Sequence, residues 1–156
     1  MNEQLIYNFF DDDELLRISN KVKEKEETTA GEICISIKEK LSSAQKKKSL
    51  RQIAEEEFFH RGVSNTRDKT GILIFILLEK RQFYILADKG INKMVAADTW
   101  DSIKDEMQKM FAEGNFSKGI INAVEKVGNI LSAHFPVKPD DTNELPNRVF
   151  ISWRIK

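Results

Sequence analysis

Three carboxylates of this 156-residue chain lie within a few residues of the end of an apolar segment. Asp68 lies shortly before the apolar run 72–78, Asp88 follows the next apolar run, and Glu32 precedes an alternating segment. Carboxylate oxygens are the ligands that calcium and magnesium prefer, and neighbouring carboxylates repel one another unless a cation neutralises them. These residues can therefore form a cation site if the fold brings them together.

The segments before Asp68 predict a helix, a strand and a second helix. The spacing of Asp11 and Glu14 is that of a capping box, which begins the first helix. Residues 33–37 alternate between isoleucine and smaller side chains, which predicts a strand. A helical period returns from Ser43 to about His60.

The run 72–78 has no alternation, which predicts a strand covered on both faces. The segment 83–87 predicts a return strand, joined to it by a hairpin that turns at Lys80 and Arg81. Two further helical patterns follow, the first capped by Asp98 or Thr99. This order predicts an α/β fold, a three-layer α/β/α sandwich on a small mixed sheet with a β-hairpin.

The order of the elements places the candidate residues at one end of the sheet. The first two strands are joined through a helix and should be parallel, and the hairpin then puts Leu73 roughly opposite Asp88. Five oxygen-bearing side chains are thereby predicted to meet on one acidic rim and to bind a divalent cation: Glu32, Asp68, Asp88, Asn92 and Asp98. The competing interpretation is that the aspartates are ordinary turn and cap residues.

The predicted domain covers residues 9–135, and residues 136–156 are predicted to form an extended tail. Within that tail Val149, Ile151, Trp153 and Ile155 alternate with other residues, as in a strand. This strand is predicted either to pack on the domain or to add to the sheet of a protein partner.

Composition excludes several classes of function. Lysine plus arginine equals aspartate plus glutamate at 25 each, so no net field attracts nucleic acid. The longest apolar run is far shorter than the roughly 20 residues of a membrane helix, so no membrane insertion is expected. The single cysteine, Cys34, and the acidic start without a basic leader region are typical of a cytoplasmic protein.

Three segments together resemble the TPM domain family: "TTAGEICISI", "EEEFFHRGVSNTRDKTGILIFI" and "RQFYILADKGI". The resemblance extends from Phe9 to about Asn147 and includes the tail segment "HFP…DDTNELPN". It implies an α/β/α sandwich and two activities described in the family, calcium binding at the acidic rim and acid phosphatase activity. Glu32, Asp68 and Asp88 match the family's motif positions.

Three functions stay open at this point. The first is a TPM-type module that binds a divalent cation, Ca²⁺ or Mg²⁺, in an accessory or regulatory role. The second is a metal-assisted acid phosphatase acting on phosphate monoesters, with Asp68 and Asp88 as its catalytic residues, although the chain has no P-loop or Cys-x5-Arg motif. The third is a scaffold without a functional ion.

Overall fold

The structure is a computed structural model that describes residues 5–137 and 149–152. Its helices are α1 (Asp12–Glu26), α2 (Leu50–His60), α3 (Lys89–Asn92), α4 (Asp101–Ala112) and α5 (Phe116–His134). Its strands are β1 (Glu32–Lys38), β2 (Gly71–Leu77), β3 (Gln82–Ala87) and β4 (Val149–Ser152). Short 3-10 turns lie at Leu5–Asn8, Gln45–Lys47 and Ala97–Trp100.

The strands form one mixed sheet in the order β3-β2-β1-β4. β1 runs parallel to β2, as the helical connection between them predicts, and β3 returns antiparallel along the other side of β2. β4 pairs parallel with the outer edge of β1, with Ile35 opposite Val149. The fourth strand of the sheet therefore comes from the segment that follows the predicted domain, which was expected to end at residue 135.

The side chains of β2 are buried on both faces, and they divide the core in two. Isoleucines of β1 and β2 pack against α1, α4 and α5 on one face, in a cluster that includes Ile35, Ile74 and Val124. Cys34 and Phe75 pack against α2 on the opposite face. The three-layer α/β/α sandwich predicted from the sequence is confirmed.

The capping box at the start of α1 is present as predicted. The Glu14 N–H donates to Asp11 Oδ1 at 2.7 Å, and the Asp11 N–H donates to Glu14 Oε1 at 2.9 Å. The predicted start of the second helix at Ser43 is wrong. α2 begins only after Ser49, because Ser49 and Gln52 form a second capping box that fixes the first turn there.

The predicted hairpin register is also wrong, because the turn is centred one residue earlier and the strand pairing is therefore shifted by two residues. The turn spans residues 78–81 and ends with Arg81 at a positive φ of 51°, so Leu77 pairs with Gln82. Leu73 is consequently opposite Leu86 rather than Asp88. Asp88 instead lies beside Gly71, because its N–H donates to the Gly71 carbonyl at 2.9 Å.

The segment after β3 differs from its prediction in two ways. The short helix α3 was not predicted, and neither Asp98 nor Thr99 is the N-cap of α4. Asp98 lies inside the 3-10 turn, and its carbonyl accepts from the N–H of Asp101. The 3-10 turn leads directly into α4, and the N-cap residue, Trp100, makes no side-chain cap hydrogen bond.

The start of the predicted tail is attached to the domain. The Ala30 N–H donates to the Phe135 carbonyl at 2.7 Å, and Thr29 and Pro136 form an antiparallel bridge. Trp153 and Ile155 lie outside the described residues. Within residues 5–137 and 149–152, no helix has the length and apolar character needed to cross a membrane.

Candidate functional site

Gly71, the first residue of β2, lies between two of the predicted rim carboxylates. Glu32 is its partner in the parallel ladder with β1, and the Glu32 N–H donates to the adjacent Thr70 carbonyl at 3.0 Å. Asp88 joins Gly71 from the β3 side. Residues far apart in sequence thus reach one end of the sheet.

Glu32 and Asp88 are the inner residues of the rim. Only 3 % of Glu32 is exposed, and its Oε1 atom is buried. Asp88 is half-buried and is the N-cap of α3, with Oδ1 accepting from the Lys89 N–H at 2.8 Å. Asp88 Oδ2 is buried and accepts no hydrogen bond from any residue that the structure describes. A buried carboxylate oxygen without a donor lowers stability unless a cation compensates it.

The loop before β2 packs against α3 through its backbone. A Cβ atom on Gly90 would lie 2.3 Å from the carbonyl oxygen of Asp68 and 2.4 Å from that of Lys69, so only glycine fits. Lys69 has a positive φ of 57°, and its ammonium group donates to the Ser64 carbonyl at 2.8 Å rather than to a rim carboxylate. Asp68 therefore reaches the rim by a backbone contact.

The remaining rim side chains are exposed. Asp68 extends into solvent with Oδ2 at 3.6 Å from Nε of Arg67. Asn92 lies one helical turn beyond Asp88, to whose carbonyl its N–H donates, and its side-chain amide donates to the Ala87 carbonyl at 3.0 Å. Asp98 lies farther along, in the 3-10 turn before α4, and is exposed.

The structure therefore brings Glu32, Asp88 and Asn92 together at this end of the sheet. Asp68 approaches them only through its backbone contact with α3, and Asp98 is not among them. Glu32 and Asp88 flank Gly71, Asp68 contacts Gly90, and Asn92 contacts Asp88. No group of three or more histidine, cysteine, aspartate or glutamate side chains in the described ranges has the spacing of a metal site. The cation site itself stays a prediction.

Sequence reasoning missed the two glycines that make this arrangement possible. A Cβ on Gly71 would lie 2.5 Å from the Val63 carbonyl oxygen, and Gly90 is equally constrained. The sequence signal for this contact is the glycine that follows Asp88 and Lys89, but a glycine shortly after an aspartate is equally typical of an ordinary turn. The close approach of two backbones is visible only in the folded chain.

Comparisons with known proteins agree with this fold. A family model described as the TPM domain matches residues 7–130. The NMR structure of BA42 protein from the psychrophilic bacterium Bizionia argentinensis is 32 % identical, with a TM-score of 0.82, and the match covers 92 % of this chain and 96 % of that chain.

A second NMR structure, the N-terminal domain of a protein from P. gingivalis, has a TM-score of 0.66. It is 16 % identical, over 81 % of this chain and 79 % of that chain, so its similarity shows the fold alone. No curated protein matches the chain. The family match over most of the chain, together with the similarity to BA42, shows that this protein belongs to the TPM domain family.

Proposed function

We propose that this TPM domain binds a divalent cation, calcium in the first place, at the acidic rim and works as an accessory or regulatory module. The observation that carries the proposal is Asp88 Oδ2, a buried carboxylate oxygen without a hydrogen-bond donor among the described residues. A cation beside this oxygen would replace the missing donor and offset the cost of burying it.

Glu32 supplies the second inner carboxylate of the proposed site. It is buried at the end of β1, beside the Gly71 position that Asp88 also adjoins. The two negative charges of these carboxylates would neutralise the charge of a divalent ion. Their positions are fixed by strand pairing and by the cap of α3, so binding does not need to order them.

Asp68 and Asn92 are the outer oxygen ligands of this proposal, and Asp98 is a further candidate. Their exposed side chains can turn towards an ion without losing packing. Calcium accepts six to eight oxygens in irregular geometry, whereas magnesium demands a near-ideal octahedron. A rim with two fixed carboxylates and several adjustable oxygens therefore suits calcium better.

The test is a calorimetric titration with calcium and with magnesium, followed by thermal unfolding with and without each ion. The wild type is expected to bind calcium and to gain about 3 kcal/mol of stability at one hundred times the dissociation constant. Asp88→Asn keeps the cap of α3 but loses the charge, and should weaken calcium binding by at least about ten-fold, or 1.4 kcal/mol.

Asp13→Asn is the matched control, because Asp13 is an exposed residue of α1 that pairs only with Arg17 among the described residues. It should leave calcium binding unchanged. A wild type without heat or stability shift at millimolar calcium and magnesium would refute the proposal. Phosphate-monoester hydrolysis that is lost in Asp88→Asn would instead assign the rim to an enzyme.

A further inference from the structure

A groove of about 530 Å³ runs along the outer edge of β3, away from the acidic rim. Gln82, Phe83 and Tyr84 of β3 line its floor, and the first residue of α2, Leu50, lies on one side. The polar face of α4 lies on the other side. A sheet edge between two helices is where an extended segment can add as a further strand.

Two hydrogen bonds determine which backbone groups of β3 face the groove. The Asp88 N–H points to β2, because it donates to the Gly71 carbonyl. Backbone groups alternate along an antiparallel strand, so those of Phe83, Ile85 and Ala87 must point outward. The Asn92 amide, which bonds the Ala87 carbonyl from outside the ladder at 3.0 Å, gives the same alternation independently.

The two edges of the sheet differ in how they are covered. On β1, β4 pairs with residues 35–38, and Glu26 Oε2 accepts from the Ile33 N–H at 2.8 Å. On β3, Asn92 covers Ala87, and the groove lies over the start of the strand. Phe83 lines the groove, and Ile85 is the next outward-facing residue along this edge, with its side chain buried in the core. Their outward N–H and C=O groups therefore select a ligand with complementary backbone groups, which is an extended peptide.

The charges of the groove select the side chains of that peptide. Asp101 and Lys104 neutralise each other at 3.3 Å, and the Arg81 guanidinium lies over the rings of Phe9 and Phe116 at 5.5 and 5.4 Å. Asp105, on the same face of α4, makes no ion pair within the part of the chain that the structure describes. The positive charge of Arg81 lies at the hairpin end of the groove, whereas the α4 side carries one net negative charge, that of Asp105, which can pair with a basic side chain.

The apolar side of the groove completes the pattern. Tyr84 points to the α2 face of the sheet, where it packs in the cluster that also holds the half-buried Leu50. Successive side chains of a strand point to opposite faces. A peptide added to β3 would therefore direct alternate side chains towards Leu50 and Tyr84, and the intervening ones towards Asp105.

We infer that the β3 edge binds an extended peptide in which apolar and basic side chains alternate. The inference is independent of the cation site, since the groove and the acidic rim share no residue. It assigns this TPM domain a second surface, for a polypeptide partner rather than an ion.

The test uses a short peptide of alternating valine and lysine, added to the full chain while amide chemical shifts are followed by NMR. The amides of Phe83 and Ile85 and those of the α4 face are expected to shift in a saturable way. A peptide of alternating valine and glutamate should bind more weakly. Asp105→Asn should weaken the lysine peptide about three-fold, the usual worth of one solvent-screened ion pair.

Asp105→Lys provides the stronger test, because it should reverse the preference in favour of the glutamate peptide while leaving the exposed helix face folded. Asp13→Asn on α1 should behave as the wild type. The inference fails if no amide shifts at millimolar peptide. It also fails if the shifts fall on Ile35 and Ile37 of β1, or if Asp105→Lys leaves the preference unchanged.

Discussion

At the scale of single residues, Gly90 determines how closely the loop before β2 approaches α3. Alanine normally stabilises a helix relative to glycine. Here its Cβ would lie 2.3 Å from the backbone oxygen of Asp68, which cannot move aside as a flexible side chain can. Gly90→Ala is therefore expected to lower the free energy of unfolding by about 2 kcal/mol, measured by urea denaturation, and to weaken the calcium binding that we propose for the rim.

Gly114→Ala is the control for this steric effect, because it tests only the strain of an alanine in a left-handed backbone conformation. Gly114 has a positive φ of 83°, and a Cβ atom added to it would meet no other atom within 4 Å. Alanine there meets only the cost of the left-handed backbone, about 1 kcal/mol. The proposed calcium binding should be unchanged in this variant. A Gly90→Ala protein as stable as the wild type would show that the loop and α3 do not pack as described.

Sequence patterns predict local residue roles better than contacts between distant loops. Asp11 and Glu14 were recognised from their spacing alone, because a capping box is formed by residues three apart. Asp98 was misassigned, because a 3-10 turn carries the chain into α4 without a side-chain cap. The role of Gly90 depends on backbone from another loop, which no local pattern contains.

At the scale of elements, a charged junction joins α1 to α5. The Lys21 ammonium lies 3.0 Å from Oε1 of Glu125, and the nearly buried Lys25 ammonium lies 3.2 Å from Oε2. The hydrogen bond from Lys21 and, with a smaller effect, the one from Lys25 hold the pKa of Glu125 below its usual range. The hydrogen bond to Glu125 in turn raises the pKa of Lys21. Glu125 is 40 % exposed, so solvent screens the junction.

Glu125→Gln is expected to lower the free energy of unfolding by about 1 kcal/mol at neutral pH. Because the pKa of Glu125 is lower in the folded state, its contribution is fully present above the usual value of 4.5 and is lost as pH falls through the folded value. Urea denaturation of both proteins across this range should show the difference disappearing in acid.

Glu24→Gln is the control for the junction, since Glu24 contacts Lys21 from an exposed position on the same helix. It should cost only a few tenths of a kcal/mol. A difference between wild type and Glu125→Gln that persists unchanged in acid would contradict the assignment of this stability to the Glu125 carboxylate.

The errors in element boundaries have physical causes. The polar stretch before Ser49 is compatible with helix or turn, and only the Ser49–Gln52 capping box decides where α2 begins. The hairpin register depended on which residue of the turn takes a positive φ, and an arginine at that position carries no glycine-like signal. Moving the centre of the turn by one residue shifts the strand pairing by two, so Asp88 lies opposite Gly71 rather than Leu73, and closer to Glu32.

At the scale of the whole molecule, the parallel pairing of β1 and β2 was predictable because a helix joins the two strands. The position of β4 was not predictable, because the edge of this sheet and the edge of a partner's sheet offer the same backbone groups. The structure has Val149–Ser152 paired with β1 of the same chain. The side-chain contacts of β4 explain how this strand is attached to the edge of the sheet.

Phe150 of β4 lies 4.8 Å below the Arg61 guanidinium, and Arg61 donates to the buried carboxylate of Glu57 at 2.9 Å. Ser36 of β1 donates to the same carboxylate.

Phe150→Ala should therefore lower the free energy of unfolding by about 2 kcal/mol, which is less than the loss for a fully buried phenylalanine. This loss should not depend on protein concentration, because β4 pairs with β1 of the same chain. Phe59→Ala, at a phenylalanine that is 72 % exposed on α2, should change it by less than about 0.5 kcal/mol. A Phe150→Ala loss that grows as the protein is concentrated would mean that β4 pairs with a second copy instead.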